Sequence, residues 1–260
     1  MRVLVRGSGD VASAVAHRLF QAGCQVIIHE VEHPSYLRRG MSFTDAVFDG
    51  KVSLEGVLAK RIDRSNALHM LTCRQAIPVV VDDIDHSVCA LQPDALVDAR
   101  MRKRVVPEVQ RHHASLTIGL GPNFIAGDQT HVVVETAWGD HLGEIITHGS
   151  SQPLSGEPKM INGIGRERCV YAPCEGVLRT GVRIGQWLNQ GSPVGILNQT
   201  PVFVPIDGYV RGICRDGLHV EAGTKLLEMD PREKNDGCYG LGERPLRIAQ
   251  GVARTLGYFS

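Results

Sequence analysis

The sequence predicts an α/β protein in three parts: a parallel-sheet domain, a small all-β domain and a C-terminal helix. Three observations support this prediction. A strand, a glycine turn, a helix and a second strand occupy the first thirty residues, an internal repeat fills much of the second half, and an apolar helical stripe follows the repeat. The chain has 260 residues, 43% of them hydrophobic and 22% charged, which is typical of a globular protein with one or two domains.

The first domain opens with the strand "RVLVR". The run "DVASAVAHRLFQAG" then places Val11, Val15 and Leu19 on one helical face before Gly23, and "CQVIIHE" forms the next strand. This βαβ unit begins a parallel sheet. Further strands are predicted in "IPVVVDD", "ALVDARM" and "SLTIGLG", with an edge hairpin in "HVVVETAWGDHLGEIITHG". We therefore predict a Rossmann-like nucleotide-binding domain over residues 1–160.

The second domain is predicted from a repeat. Residues 170–197 ("VYAPCEGVLRTGVRIGQWLNQGSPVGIL") align without gaps to residues 202–229 ("VFVPIDGYVRGICRDGLHVEAGTKLLEM"). A half repeat cannot bury its own apolar face, so the two halves are expected to pack on each other. The pattern resembles the lipoyl/biotinyl family and implies a barrel-sandwich hybrid over residues 165–232. The hairpin between the halves, "ILNQTP", lacks the attachment lysine of that family, which implies no covalent biotin or lipoate.

The remaining residues, 233–260, are predicted to form a C-terminal helical tail. Leu246, Ile248, Val252 and Leu256 give an approximate apolar stripe, and Pro245 suits a first helical turn. Such a helix is expected to pack back on one of the domains.

A glycine turn is the first candidate site. Gly7, Gly9 and Ala12 satisfy most of the dinucleotide-binding pattern between a strand and a helix, and Glu30 ends the second strand, where it could bind a ribose. Asp10, however, brings a negative charge into the turn. The alternative is that Asp10 stabilises the helix N-terminus and that the glycines only support the fold. The residues leave both interpretations open.

The second candidate site lies at the expected carboxyl ends of later strands, where ligands of open α/β sheets bind. Asp98 ends one strand and is followed by Arg100 and Lys103, whose side chains suit phosphate binding. Arg102 and Arg104 fit a solvated basic turn better. Gly121 and Asn123 lie in a glycine-rich loop, "GLGPNFIAG", after the next strand. Together these residues predict a crevice for a phosphate-bearing ligand.

Composition excludes several classes of function. Lys plus Arg and Asp plus Glu both total 28, so no bulk positive field favours nucleic-acid binding. The sequence has neither a signal-peptide core nor an apolar run of membrane-spanning length, and its seven cysteines are scattered, which together predict a cytoplasmic protein with reduced thiols and no metal site. Neither a nucleophile elbow nor a P-loop is present, so no catalytic residue is predicted and enzymatic activity is left open.

Several segments occur together in the order seen in one family. The segments "VRGSGDVASAVAHRLFQAG", "RRGMSFTDAVFDG", "DALVDARMRK", "GLGPNFIAG", "VVVETAWGDHLGEII", "APCEG" and "EMDPR" resemble YqeB-type proteins over nearly the whole chain. That family is associated with selenium-dependent molybdenum hydroxylase systems. It is also similar in general plan to XdhC-type accessory proteins.

The resemblance implies an accessory protein that matures a molybdenum hydroxylase of the xanthine dehydrogenase kind. Its small-molecule ligand would be the molybdenum cofactor, a pterin dinucleotide, and its protein partner the hydroxylase. Cys238 could carry sulfur or selenium during this maturation, and a structural cysteine is the other interpretation. Two alternative functions stay open, an NAD(P)-dependent oxidoreductase and a non-catalytic binding scaffold, and so does assembly into a homo-oligomer.

Overall fold

The computed structural model describes residues 1–102, 105–154 and 156–258. The chain forms two compact units that are discontinuous in sequence. The first unit comprises Met1–Glu32, Ser42–Ser155 and Leu241–Ser260, and the second comprises His33–Met41 and Gly156–Gly240. In this division residues 33–41 belong to the second unit and the C-terminal helix belongs to the first, whereas the sequence predicts contiguous domains.

The first unit is built on a mixed, mostly parallel sheet. Its strands are β1 (Arg2–Arg6), β2 (Gln25–Glu30), β3 (Lys51–Leu54), β4 (Val57–Arg61), β5 (Ile77–Val81), β6 (Ala95–Asp98), β7 (Leu116–Leu120), β8 (Ile125–Ala126), β9 (Val132–Val134), β10 (Ile145–Ile146) and β11 (Gly149–Ser150). Its helices are α1 (Asp10–Gln21), α2 (Asp45–Asp49), α3 (Arg64–Cys73), α4 (Ile84–Leu91) and α5 (Glu243–Thr255).

Most strands of the first unit form one large sheet. Within the described residues the large sheet has the order β10-β9-β7-β6-β1-β2-β5-β4-β3. Strands β4, β5, β2, β1, β6, β7 and β9 run parallel to their neighbours, and the hairpin partners β3 and β10 close the two ends in antiparallel fashion. This parallel-rich sheet confirms the predicted α/β class of the first domain.

Helix α5 packs on α1 and on the hairpin of β9 and β10 in the first unit's core. Ile248 and Val252 of α5 are fully buried and share a hydrophobic cluster with Val11 and Val15 of α1. Gly251 allows this approach, because a Cβ atom there would lie 2.3 Å from the carbonyl oxygen of Gly143. The predicted C-terminal helix is therefore present and belongs to the α/β core.

The second unit contains the repeat. Its strands are β12 (Cys169–Tyr171), β13 (Gly176–Arg179), β14 (Trp187–Leu188), β15 (Pro193–Leu197), β16 (Thr200–Phe203), β17 (Gly208–Ile213), β18 (His219–Val220) and β19 (Lys225–Asp230). They form two four-stranded antiparallel sheets, β12-β19-β17-β14 and β16-β15-β13-β18. This β domain after the parallel-sheet domain confirms the second part of the predicted fold class.

The two sheets are related by the repeat itself. Exchanging each strand for its counterpart in the other half, β12 for β16, β13 for β17, β14 for β18 and β15 for β19, converts one strand order into the other. The register agrees as well: Val170 pairs with Leu227, and their counterparts Val202 and Gly195 pair in the same way. Each sheet thus takes strands from both halves, as expected if neither half can bury its apolar face alone.

Residues 33–41 belong to the second unit because they bond to its strands. The amide of Ile213 donates to the carbonyl oxygen of Leu37 at 2.9 Å, and Arg38 pairs with the fully buried Glu228 at 2.9 Å.

A helix of membrane-spanning length and apolarity is absent from the described part of the chain.

Candidate functional site

The candidate site lies at the carboxyl ends of β1 and β6 in the first unit. Strand β1 pairs with β2 on one side and with β6 on the other, so the strand order reverses between β1 and β6. Ligands of open α/β sheets bind at such a switch point. Arg6 and Asp98 are the last residues of the two strands and are register partners, which places a base and an acid side by side at this edge.

A cluster of charged side chains fills this edge. The guanidinium of Arg100 donates to Asp98, with Nε at 2.9 Å from Oδ1. The Nη1 atom of Arg6 donates to Oε1 of Glu108 at 2.8 Å and to Oε1 of Gln110 at 2.6 Å. Gln110 in turn donates through Nε2 to Oδ2 of Asp98 at 2.7 Å. We call Arg6, Asp98, Arg100, Glu108 and Gln110, together with Arg102, the switch-point cluster.

Glu108 joins the arginines of this cluster. Its Oε1 atom accepts from Nη2 of Arg100 at 2.6 Å, and its Oε2 atom accepts from Nη2 of Arg102. Three guanidinium groups therefore meet one glutamate carboxylate. Counting Asp98, the switch-point cluster carries three positive and two negative formal charges, so one positive charge is in excess.

Burial makes these charges strongly interacting. Arg6 is 5% exposed, Asp98 1% and Gln110 fully buried, whereas the Glu108 side chain is 43% exposed. Burial alone would raise the pKa of Asp98, but the hydrogen bond and the charge of Arg100 outweigh it and the pKa lies below its usual value. Burial, assisted by the positive charge of Arg100, lowers the pKa of Arg6. The arginines thus repel each other, and the carboxylates hold them together.

The glycine turn lies directly beside this cluster. Gly7 has a φ of +102°, and a Cβ atom there would lie 3.2 Å from the carbonyl oxygen of Ala99 and 3.2 Å from Cα of Arg100. Only glycine permits both this backbone conformation and the close approach. Gly7 therefore joins the β1 and β6 ends, while Gly9 precedes α1 as its N-cap and Ala12 is buried inside α1.

Glu30 and Asp10 bond to the chain itself. Ser8 donates its hydroxyl to Oε2 of Glu30 at 2.7 Å, and Oε1 of Glu30 accepts from the amide of Val31 at 2.8 Å. Oδ1 of Asp10 accepts a hydrogen bond from the amide of Val11 at 2.8 Å. Asp10 lies in the first turn of α1, where a negative charge interacts favourably with the helix dipole. Thr44 donates to the carbonyl oxygen of Ser8 at 2.9 Å and closes the turn from the other side.

The loop after β7 lies near the same edge. Gly121 has a φ of +115°, and a Cβ atom there would lie 3.5 Å from Sδ of Met101. The Nδ2 atom of the exposed Asn123 lies 3.5 Å from the carbonyl oxygen of Val105. The structure therefore brings the predicted residues Gly7, Asp98, Arg100, Gly121 and Asn123 to one edge of the sheet. The predicted residue Lys103 lies outside the described residues, as does Arg104.

Several members of the switch-point cluster are not among the site residues predicted from the sequence. Arg6 carried a usable signal, because it is a charged residue at the end of an apolar strand and directly precedes the glycine turn. The sequence favours a solvated basic turn for Arg102, and its side chain is 31% exposed and pairs with Glu108. Glu108 and Gln110 carried no signal, since they lie in an irregular segment between β6 and β7.

A cleft of about 440 Å³ lies at a different position in the first unit, at the carboxyl ends of β4 and β5. Its volume falls within the range of small-molecule sites. Its basic groups are already engaged, because Arg64 pairs with Asp82 and Nη1 of Arg61 donates to the carbonyl oxygen of Val47 at 2.6 Å. We therefore favour the switch-point cluster, where a positive charge is in excess, as the candidate site.

Cysteine and metal chemistry have little geometric support. Cys238 is fully buried, and burial together with the charge of Asp230 raises the pKa of its thiol to about 11, which favours the unreactive thiol. The described residues include no group of three or more His, Cys, Asp or Glu side chains arranged to hold a metal ion.

Comparison with known proteins adds one relative. No protein-family model matches the sequence. Over 254 residues, the chain is 37% identical to the uncharacterized protein YqeB of Escherichia coli (strain K12). The aligned region covers 98% of this chain and 47% of YqeB, so the chain spans about half the length of the curated relative that it matches. The predicted YqeB-type resemblance is thereby supported along nearly the whole chain.

A solved structure shows only slight similarity. The ectoine utilization protein EutE (DoeB) from Ruegeria pomeroyi, determined in its apo form, is 13% identical with a TM-score of 0.25. The match covers 57% of this chain and 64% of that chain. Similarity at this level supports no argument about fold or function.

Proposed function

We propose that this chain is an accessory protein for the maturation of selenium-dependent molybdenum hydroxylases and that it binds the pterin dinucleotide form of the molybdenum cofactor. The single observation that carries the binding proposal is the convergence of Arg6, Arg100 and Arg102 at the β1–β6 switch point. The biological setting is what the YqeB-type resemblance implies, and the relative YqeB is itself uncharacterized.

The chemistry of the arginines suits a diphosphate. Guanidinium groups bind phosphate oxygens through paired hydrogen bonds, and a buried guanidinium binds them more strongly than an exposed one. Arg6 supplies a buried donor, while Arg100 and Arg102 are partly exposed and accessible to a ligand. A dinucleotide bound here would direct its phosphates to the switch-point cluster.

The same geometry bears on the oxidoreductase alternative. An NAD-binding acid at the end of β2 hydrogen-bonds the ribose, but both carboxylate oxygens of Glu30 already accept hydrogen bonds from Ser8 and Val31. Each oxygen has a second lone pair, so a ribose hydroxyl can donate to Glu30 beside these internal bonds. The oxidoreductase alternative therefore stays open at this residue.

In the proposed function the second unit presents a rigid surface to the hydroxylase. Its interlocked strands leave Trp187, Ile196 and Phe203 about half exposed, and aromatic side chains are enriched at protein interfaces. The pairing of strands from both repeat halves suits a surface of fixed shape. A scaffold without any small-molecule ligand would rely on this unit alone.

The test is to purify the full chain from a host that makes the molybdenum cofactor. Denaturation followed by mass spectrometry identifies any released small molecule, and a pull-down with the tagged chain identifies bound proteins. We expect a pterin dinucleotide in the released fraction and a molybdenum hydroxylase in the pull-down. Recovery of NAD(P), with neither pterin nor hydroxylase, would overturn the proposal in favour of an oxidoreductase.

A further inference from the structure

The carboxylate of Glu108 occupies the position where the three arginines of the switch-point cluster meet. Arg6 and Arg100 both donate to its Oε1 atom, at 2.8 and 2.6 Å, and Arg102 donates to its Oε2 atom. Hydrogen bonds from Arg102 and Arg100 hold the pKa of Glu108 well below its usual value, although partial burial opposes them. Glu108 is therefore an anion bound by three guanidinium groups.

This arrangement leaves binding capacity unused. Arg6 is only 5% exposed, and its buried Nε atom has no hydrogen-bond partner among the described residues. One positive charge remains in excess after Asp98 and Glu108 are counted. A carboxylate offers two oxygen atoms and a single negative charge, whereas a phosphoryl group offers three oxygen atoms and up to two negative charges. The arginines are thus better matched to a phosphoryl group than to Glu108.

The local structure allows Glu108 to leave without unfolding the segment. Gln110 anchors the chain two residues further on, through its amide to the carbonyl oxygen of Gln129 at 2.8 Å and through its side chain to Asp98 and Arg6. The Glu108 side chain is 43% exposed, so a rotation about its own bonds would bring the carboxylate into water. Asp98 would still hold Arg100 in place.

We infer that Glu108 is an internal occupant of a phosphoryl-binding site and that an incoming phosphoryl group displaces its carboxylate from Arg6, Arg100 and Arg102. This inference rests on the proposed function, because it assumes that the switch-point cluster binds a phosphate-bearing ligand. Glu108 then sets the apparent affinity of the site. It also offsets one of the positive charges when no ligand is bound, and it competes with weakly charged anions.

The test uses pyrophosphate as the probe and isothermal titration calorimetry of the full chain. Glu108→Gln keeps the size of the side chain but removes the competing charge. We expect pyrophosphate to bind about tenfold more tightly than to the wild type, because affinity falls in proportion to the fraction of molecules left competent to bind, and that fraction is small when the competing state holds most molecules. Glu144→Gln is the matched control, since it removes an exposed carboxylate of the same unit that pairs with His141. It should leave the affinity unchanged.

The outcomes separate the two proposals. Equal or weaker pyrophosphate binding by Glu108→Gln, with measurable binding by the wild type, refutes the internal-occupant inference and leaves the proposed function standing. No binding by the wild type, Glu108→Gln or Glu108→Asp refutes both. Glu108→Asp provides a second variant if Glu108→Gln does not fold: it keeps the charge but withdraws the carboxylate by one methylene, and we expect it also to bind pyrophosphate more tightly than the wild type.

Discussion

Replacing Asp98 by Asn removes the charge on which the switch-point cluster depends. The Asp98 carboxylate is 1% exposed and accepts hydrogen bonds from Arg100 and Gln110. Removing one partner of a buried ion pair costs about 3–5 kcal/mol, since the other charge stays buried without compensation. Arg100 keeps a bond to Glu108 and is partly exposed, so we expect the lower end, about 3 kcal/mol.

Thermal unfolding followed by circular dichroism measures this effect. A loss of about 3 kcal/mol corresponds to a decrease in Tm of about 6–12 °C for a unit of this size. Asp140→Asn serves as the control, because Asp140 is exposed in the same unit and surface substitutions change stability by about 0.5 kcal/mol or less. A variant Asp98→Asn that melts within about 2 °C of the wild type would refute the view that this carboxylate holds the arginines together.

Three further predictions concern other parts of the molecule. Gly251→Ala should destabilise the first unit by about 1–3 kcal/mol, since its Cβ would lie 2.3 Å from the carbonyl oxygen of Gly143. Urea unfolding should show this loss of stability. The control Gln250→Ala, at an exposed position of the same helix, should show none. Alkylation of the native chain at pH 8 should modify the exposed thiols of Cys73, Cys89 and Cys174 and spare Cys238, whose pKa is raised to about 11 by burial; peptide mass spectrometry would contradict this if Cys238 reacted as fast as they do. Asp98, Asp230 and Glu228 have lowered pKa values because their arginine partners outweigh burial. The stability that these carboxylates contribute is therefore complete above the unfolded-state pKa of about 4 and is lost as the pH falls through the folded-state pKa values. A Tm that stays constant from pH 6 to pH 3 would argue against these ion pairs.

Regular patterns made much of the fold predictable. The spacing of apolar residues in β1, α1 and β2 matches the periods of a strand and a helix, so the opening βαβ unit could be predicted. The constant offset between the repeat halves predicted their packing, which the exchanged strand orders confirm. The hairpin of β3 and β4 was missed, although Gly56 with φ +80° marks its turn, because its strands are short and their burial is uneven.

Contacts distant in sequence were harder to predict. Residues 33–41 show no periodicity, and their place in the second unit depends on bonds such as that between Arg38 and Glu228, 190 positions away. The same limit applied to the candidate site. Asp98 and Arg100 follow a visible strand, whereas Glu108 and Gln110 reach the site from an irregular segment whose path no local pattern specifies.

Binding of a phosphoryl group by the arginines of the switch-point cluster is open to direct observation. The most direct measurement is a crystal structure of the full chain grown with pyrophosphate. We expect a phosphoryl group within hydrogen-bonding distance of Arg6, Arg100 and Arg102, with the Glu108 carboxylate turned into solvent. Pyrophosphate bound elsewhere, with Glu108 still held by all three arginines, would contradict it.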